Sequence, residues 1–450
     1  MTATMTPTKT NLTVLIAAIF FAGLLTAQDL GHKAAPQKGA IMISGATVHT
    51  VAGDVIERGG IVFRDGKIVW VGSGPPPAGV LRKDVRIIEA HGKHVYPGYV
   101  CAASAMGLTE IGAVDMTRDL NEAGALNPEV VAATAVNPDS WLIPVARRNG
   151  VLTCGVWPQG GLLSGRASVI RMDGWTWEDM AIDVDAGIVL SWPNMSAGSN
   201  SRRRGPTRLR RSPPKPEDIL RRFDALFDAA AAYLAAKRHD ETLLTDLRLE
   251  GFRATLEGKR PLLVQASRKA QIESAVHWAT GRGLKLCIIG GREAAQCIEL
   301  LKRHDVAVAL TKAHRLPRRR DLPFQAPYEL PSLLENAGVR WCLSDNARSA
   351  ADVRNLPYEA AACVPHGLSK AAALRSITLS AAEFLGIADR LGSLEVGKVA
   401  TLFIADGDPF ELTTRIERAF IDGRAIDLDD KQTALRDKYR EKYRQQGAIK

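Results

Sequence analysis

Polar side chains between residues 107 and 175 have the types that a ligand pocket needs. Glu110, Asp115, Arg118 and Ser164 stand in glycine-containing segments that we predict to be loops at strand ends. Carboxylate, guanidinium and hydroxyl groups in such loops fix the orientation of a small ligand. Glycine also lets backbone N–H groups approach that ligand closely. Surface loops carry similar polar groups for solvation alone, so that simpler interpretation stays open.

Motifs for nucleophilic or metal-assisted catalysis are scarce. The nine histidines form no HxH or HExxH pair, and no GxSxG motif occurs. His314 has the best position, directly after a strand-like run, but no second ligand stands at metal-binding spacing. Cys101 would act as a nucleophile only beside a base, and the sequence identifies none. We interpret the six cysteines, which form no CxxC pair, as buried free thiols.

Strand-like and helical segments alternate through the middle of the chain. Apolar runs at 261–265, 284–289 and 306–310 are separated by helix-like stretches at 268–280 and 292–303. Repeated strand–helix units predict parallel strands with crossover helices. Because the pattern extends over some 290 residues, we predict a (β/α)8 TIM-like barrel rather than an open sheet.

Short β runs flank this region on both sides. Residues 61–72 contain two runs around Asp65-Gly66, a dipeptide typical of tight hairpins. Strand-like runs return at 399–404 and 418–424. The predicted organisation is a small composite β-sandwich domain from both chain ends (40–96 and 397–426), the barrel (97–396) and a C-terminal helix (429–446).

Four motifs in these elements point to one family. They are DGKIVWVG at 65–72, Pro97-Gly98, AALRSITLSAAEFLGI at 372–387, and LGSLEVGK at 391–398 followed by ATLFIADGDP. Together they resemble the amidohydrolase superfamily, in particular its imidazolonepropionase- and dipeptidase-like branch. The resemblance implies a (β/α)8 barrel beside a split β-sandwich. It also implies hydrolysis of non-peptide C–N bonds, as in cyclic amides and dipeptide-like substrates, by water that one or two divalent metals such as zinc activate.

The positions that the resemblance assigns to metal ligands carry poor ligands. The family's first strand ends in Asp-x-His-x-His, and Ala103 and Ala105 stand where the histidines belong. Gln265 takes the place of the third histidine and Gly291 that of the fourth. A methyl group has no lone pair, and an amide oxygen is a weak zinc ligand compared with imidazole. We therefore predict a degenerate metal site and no cofactor.

The resemblance assigns two further positions. Asp345 stands where the family keeps a metal-binding, proton-shuttling aspartate, so it is our candidate catalytic residue. An aspartate that caps the next helix is the alternative. Arg171 stands where related enzymes have a metal-bridging lysine, and a permanent cation there would repel a metal. Arg171 therefore joins the candidate ligand-binding residues.

The N-terminal segment is typical of a secretory signal. Lys9 precedes a short apolar run at 12–25, and small residues around Ala27 offer a cleavage point. The run is short for a transmembrane helix, which needs about 20 apolar residues. We expect residues 1–27 to be a signal peptide and the mature protein to be exported, periplasmic or extracellular, without a membrane span. An uncleaved anchor is the alternative.

The net charge of +10 has a local source. Residues 199–216 read SNSRRRGPTRLRRSPPKP, a composition typical of a solvated loop insertion. The stretch contains no aromatic side chain on which a nucleic-acid base could stack. We therefore expect no nucleic-acid partner.

Two functions are compatible with these features. In the first, the protein is a catalytically impaired or metal-free relative of amidohydrolases that binds a small-molecule ligand. In the alternative, it is an active C–N hydrolase with an unusual site around Asp345, assisted by Glu110 or His314. Family analogy adds a homo-oligomer as a possible assembly.

Overall fold

Two eight-stranded sheets organise the chain. The computed structural model describes residues 33–81, 84–195, 214–317, 319–345 and 350–449. The predicted signal peptide at 1–27 lies outside the described residues, as does most of the basic stretch at 199–216. None of the described helices combines the length and the apolar character needed to cross a membrane.

The first sheet consists of the strands before residue 98 and after residue 401. The second sheet consists of the strands between these two regions. The strands are β1 (Ile41–His49), β2 (Val55–Arg64), β3 (Lys67–Ser73), β4 (Arg86–Glu89), β5 (His94–Pro97), β6 (Tyr99–Ser104), β7 (Val151–Val156), β8 (Leu163–Arg171), β9 (Ala181–Ser191), β10 (Leu262–Ala266), β11 (Leu286–Gly290), β12 (Ala307–Thr311), β13 (Trp341–Ser344), β14 (Leu402–Ala405), β15 (Ile416–Ile421) and β16 (Arg424–Ile426).

Most described helices lie between the strands of the second sheet. The α-helices are α1 (Leu142–Arg148), α2 (Trp177–Met180), α3 (Pro216–His239), α4 (Leu247–Glu250), α5 (Arg253–Leu256), α6 (Lys269–Gly281), α7 (Ile298–Arg303), α8 (Ala326–Asn336), α9 (Leu356–Ala361), α10 (Lys370–Ser376), α11 (Leu379–Phe384) and α12 (Lys431–Gln445). Short 3₁₀ helices cover Asp115–Thr117, Ala132–Ala135, Ala294–Cys297, Val353–Asn355 and Val364–His366.

The first sheet unites the two chain ends, as the composite β-sandwich prediction requires. Its order is β16-β15-β14-β5-β1-β2-β3, and β4 pairs with β1. The joint lies between β5 and β14, which run antiparallel with Pro97 opposite Leu402. The predicted hairpin turn is present between β2 and β3, where Asp65 and Gly66 have φ angles of 50° and 77°.

The second sheet is a nearly closed barrel in the order β6 to β13, which confirms the TIM-like prediction. Strand β8 departs from the ideal pattern, because it is antiparallel to both β7 and β9. The connection from β7 to β8 spans only residues 157–162. A parallel crossover needs about a dozen residues or more, whereas an antiparallel neighbour needs only a short turn. The short connection therefore reverses the strand.

A hydroxyl group joins the first and last barrel strands, where the ladder order ends. The Ser344 Oγ on β13 accepts a hydrogen bond from the Ala103 N–H on β6 at 2.7 Å. The same Oγ donates to the Ala103 carbonyl at 3.0 Å. All of these groups are buried, so one side chain replaces two backbone hydrogen bonds at the seam.

We expect Ser344→Ala to lower the free energy of unfolding by about 1–3 kcal/mol, because it leaves the buried Ala103 N–H without an acceptor. The carbonyl keeps a weak contact from the Cys101 thiol at 3.4 Å. Urea denaturation measures the change. Ser376→Ala is the matched control, since the Ser376 hydroxyl only donates to the Ala373 carbonyl within its own helix. Equal, small effects of both substitutions would contradict the role of Ser344.

Small apolar side chains fill the barrel. Val100, Ala102, Leu263 and Ala309 belong to one buried cluster with residues of α11 and the segment after it. Trp157, the residue after β7, is fully buried in the same cluster. Its indole N–H donates to the Ala102 carbonyl at 3.0 Å. The indole therefore closes the interior just below the ends of the strands.

A buried ion-pair network ties the barrel to the first sheet. Asp173, which is fully buried, accepts from Arg147 of α1 at 2.8 Å and lies 3.2 Å from Arg424 of β16. Its second oxygen also accepts the Ala34 N–H at 3.2 Å. One carboxylate thus connects three segments that are far apart in the sequence.

Candidate functional site

The predicted metal positions lie at one end of the barrel, where the parallel strands finish. Ala103 is in β6 and Ala105 follows it, and both are fully buried. Gln265 is near the end of β10, Gly291 follows β11, and Asp345 follows β13. The structure thus brings all five to the end of the barrel that carries the active site in proteins of this architecture.

The backbone at Gly291 leaves no room for a histidine. The residue has a φ angle of 54°, and a Cβ atom there would lie 2.4 Å from Val308 Cγ1. Any side chain would need the backbone or β12 to move. At Ala103, both backbone polar groups are engaged by Ser344. The chain therefore uses these two positions for packing and for closing the barrel.

An ammonium group accompanies the candidate catalytic aspartate. Lys312 directly follows β12, and its Nζ lies 3.5 Å from Asp345 Oδ1, whose side chain is only 4% exposed. Lys312 also forms an ion pair with Asp352. Burial opposes the charge of Lys312, but the hydrogen bond to Asp352 and the charges of both aspartates outweigh it and raise the pKa. A protein cation thus lies beside both carboxylates.

The donors at this end of the barrel do not fit a divalent metal ion. Within the described ranges, no three His, Cys, Asp or Glu side chains are grouped so that they could hold one. A catalytic zinc needs about three protein ligands and an open position. Asp345 has Lys312 beside it, and an ammonium would repel a metal at that carboxylate.

Cys101 lies beside a second thiol rather than a base. It is the ladder partner of Cys154, and its Sγ lies 3.7 Å from the Ser344 Oγ. The hydrogen bond with Cys154 outweighs burial and lowers the pKa of Cys101, whereas burial raises the pKa of Cys154. All six cysteines are free and buried, which confirms the interpretation as buried thiols.

The polar pocket candidates already have partners within the protein. Thr109 and Arg118 bridge a small hairpin after β6. In this hairpin Asp115 and Arg118 form an exposed ion pair at 3.0 Å. Glu110 accepts from the Asn137 side chain at 3.3 Å. The structure therefore places Glu110, Asp115 and Arg118 in one loop.

The other two candidates lie elsewhere. Ser164, at the start of β8, is buried and donates to the Gly160 carbonyl at 2.6 Å. Arg171 ends the reversed strand β8, so it lies towards the opposite end of the barrel. There it forms an ion pair with Asp422 of the first sheet at 2.9 Å. The structure does not bring Arg171 to the mouth.

An acid–base pair at the mouth was not predicted. His314 Nδ1 lies 3.3 Å from Glu359 Oε2. The backbone N–H of His314 donates a hydrogen bond to the same oxygen at 2.7 Å. Tyr328 packs edge-on against the imidazole with ring centroids 5.7 Å apart. His314 is half exposed and Glu359 nearly buried. The position of His314 after a strand was the available signal, whereas nothing in the sequence pointed to Glu359.

Comparisons with known proteins agree with this architecture. Residues 285–427 match the model of the amidohydrolase family. The chain is 24% identical over 400 residues to the amidohydrolase tasK of Hapsidospora irregularis, which covers 83% of this chain. The chain spans only 40% of the length of that relative.

Several solved structures share the fold. An amidohydrolase from Thermotoga maritima superposes with a TM-score of 0.73 at 24% identity, over 86% of this chain and 99% of that one. A Xaa-Pro dipeptidase with bound methionine gives a TM-score of 0.52 at 14% identity, over 86% and 100% of the two chains. A prolidase complexed with N-methylphosphonate-L-proline gives 0.51 at 18% identity, over 86% and 99%. The family model and the curated relative show that the chain resembles amidohydrolases, and the solved structures show that it shares their fold.

Proposed function

We propose that this protein binds a small-molecule ligand at the barrel mouth without the metal-assisted hydrolysis of its superfamily. The observation that carries the proposal is the Lys312 ammonium, 3.5 Å from Asp345. A nearby cation stabilises the ionised form of a buried carboxylate. In the superfamily pattern that cation is a metal, and here a lysine supplies the charge.

The residues around this pair support the same proposal. Ala103, Ala105 and Gly291 offer no donor atom, and the amide of Gln265 is a weak one. Loss of a single ligand would leave a weakened metal site, but four such positions together leave too few donor atoms to hold a metal ion. Barrel closure depends on different atoms, among them the hydroxyl of Ser344. The fold therefore persists without the metal chemistry.

The ligand class follows from the relatives by analogy. Two solved neighbours are named as a Xaa-Pro dipeptidase and a prolidase. We propose an amide-containing small molecule of dipeptide size or a cyclic amide. Export through the N-terminal segment and assembly into a homo-oligomer remain part of the proposal.

Calorimetric titration with dipeptides and cyclic amides tests this function, using mature protein treated with chelator and dialysed. We expect at least one of these ligands to bind while chromatography shows no turnover. Zinc or manganese should leave both results unchanged. Turnover that depends on added metal and stops with chelator would contradict the proposal.

A second candidate is metal-independent C–N hydrolysis, which the His314–Glu359 pair favours. A carboxylate that holds an imidazole in place makes it a better general base. In this function Asp345 would take part in proton transfer. Hydrolysis that survives chelator but falls at least tenfold in both His314→Gln and Asp345→Asn would establish it. Activity that neither substitution changes would eliminate it.

A further inference from the structure

Four arginine side chains converge at the mouth of the barrel, and none of them was among the residues predicted to bind a ligand. Arg268 follows β10, Arg292 follows β11, and Arg315 and Arg319 follow β12. They line one cavity of about 50 Å³, in which Glu293 is the sole carboxylate among the lining residues. Four guanidinium groups thus face one carboxylate at the end of the barrel where such folds bind ligands.

Some charged groups of the cavity already have partners within the protein. Glu293 accepts the Lys269 N–H at the start of α6 at 2.8 Å, and Arg319 is paired with Asp321. In the part of the chain that the structure describes, neither Arg292 nor Arg315 forms an ion pair. Arg315 is half-buried, and its Nε donates to the Lys312 carbonyl at 2.9 Å. Two cations therefore lack a carboxylate partner.

Electrostatics make this arrangement receptive to an anion. Burial, followed by the charge of Arg292, lowers the pKa of Arg315 to about 10, although Glu359 partly offsets the effect. Both guanidinium groups are still charged at neutral pH. A bound anion would relieve their repulsion and accept parallel N–H hydrogen bonds from the planar fork.

The cavity has room for a small polar group beside the arginines. Its volume of about 50 Å³ is enough for a head group the size of a carboxylate or phosphate. Leu322 and Pro327 form apolar parts of the wall. Phe324, between them in the sequence, is 71% exposed. An apolar body can therefore lie on this exposed side while the head group faces the arginines.

We infer that Arg292 and Arg315, supported by Arg268, bind the anionic head group, a carboxylate or a phosphate, of a small ligand whose apolar part contacts Leu322 and Phe324. The inference rests on the proposed function, because it specifies the ligand that the same barrel mouth receives. The chemistry of the head group is shared by carboxylate and phosphate ligands, and the test separates them.

The test is calorimetric titration of the full-length mature protein with three probes. They are N-acetyl-L-leucine, its uncharged amide N-acetyl-L-leucinamide, and inorganic phosphate. We expect the acid to bind at least tenfold more tightly than the amide, because only the acid forms charge-assisted hydrogen bonds. Phosphate that binds more tightly than the acid would identify the head group as phosphate. Equal binding of acid and amide, without phosphate binding, would overturn the inference.

Variants assign the effect to the arginines. Arg292→Met and Arg315→Met should each weaken binding of the preferred anion about tenfold or more. Arg436→Met, an exposed arginine on α12 that pairs with Asp437, should leave it unchanged. Arg292 is exposed, so its substitution keeps the test valid if Arg315→Met fails to fold. Unchanged binding in Arg292→Met together with Arg315→Lys would overturn the assignment.

Failure of the proposed function gives a different result. In that case zinc or manganese would bind and support turnover, while anion binding would still depend on Arg292 and Arg315. If only the present inference fails, the protein will hold no metal and show no turnover, but it will bind the acid and the amide with equal affinity.

Discussion

Asp173→Asn is expected to lower the free energy of unfolding by about 3–5 kcal/mol, the usual cost of removing one partner from a buried ion pair. Asp173 and Arg147 have side chains that are 0% and 4% exposed. Asparagine keeps the shape but loses the charge, so Arg147 and Arg424 would both face a neutral amide. Burial already lowers the pKa of Arg147 despite the charge of Asp173. Removing that charge leaves the desolvated cation uncompensated.

Urea denaturation followed by circular dichroism measures this change. The matched control is Asp437→Asn, which removes an exposed carboxylate paired with Arg436 on α12. Because solvent screens an exposed pair, we expect the control to leave the unfolding midpoint unchanged. If both variants unfold at the midpoint of the wild type, Asp173 does not join the barrel to the first sheet in the way described.

Gly155→Ala is the second substitution with a large expected effect, a loss of about 3 kcal/mol at the upper end of the range for overpacked cores. A Cβ atom at this position would lie 2.3 Å from the Ala102 carbonyl oxygen and 3.1 Å from Leu385 Cδ2. The Ala102 carbonyl also accepts the hydrogen bond from the Trp157 indole. Displacement of this carbonyl would therefore disturb the indole that closes the barrel interior.

Two measurements follow the effect of Gly155→Ala. The unfolding midpoint should fall, and the fluorescence of the folded protein should change as the surroundings of Trp157 change. Gly281→Ala is the control, because an added Cβ at the end of α6 has no neighbour within 4 Å. Alanine there should be neutral or stabilise by up to about 1 kcal/mol. Equal stability of both variants would mean that Gly155 is not tightly packed.

Local signals in the sequence predicted much of the fold. The Asp65-Gly66 turn, the helix expected at 268–280 and found at Lys269–Gly281, and the strand expected at 306–310 and found at Ala307–Thr311 all depend on residues close in the chain. These signals succeed because turn chemistry and apolar periodicity act locally. Strand-like runs at both chain ends indicated that they share one sheet, and the family resemblance implied the same arrangement.

The site was harder to predict because its contacts join distant segments. Lys312 and Asp345 each follow a strand, but only the neighbouring positions of β12 and β13 bring the two charges together. Arg171 shows the opposite effect. Its sequence context suggested the mouth, but the reversal of β8 carries it to the other end of the barrel. Strand direction is a property of the whole sheet and leaves little trace in a short motif.

The arginine cluster illustrates the same limit. Arg268, Arg292 and Arg315 are each unremarkable in the sequence, and each follows a different strand. Their proximity arises only because parallel strands finish at the same edge of the barrel. In contrast, the basic segment at 199–216 is evident from composition alone, because its arginines are adjacent in the sequence.

The metal content of the purified protein tests directly whether the barrel mouth holds a metal ion. The protein would be purified without chelator, incubated with zinc or manganese, dialysed and measured by elemental analysis. We expect far less than one ion per chain, since the Lys312 ammonium lies beside Asp345 and the other positions offer a weak donor or none. About one or two tightly held ions per chain, as in metal-dependent hydrolases, would contradict the account.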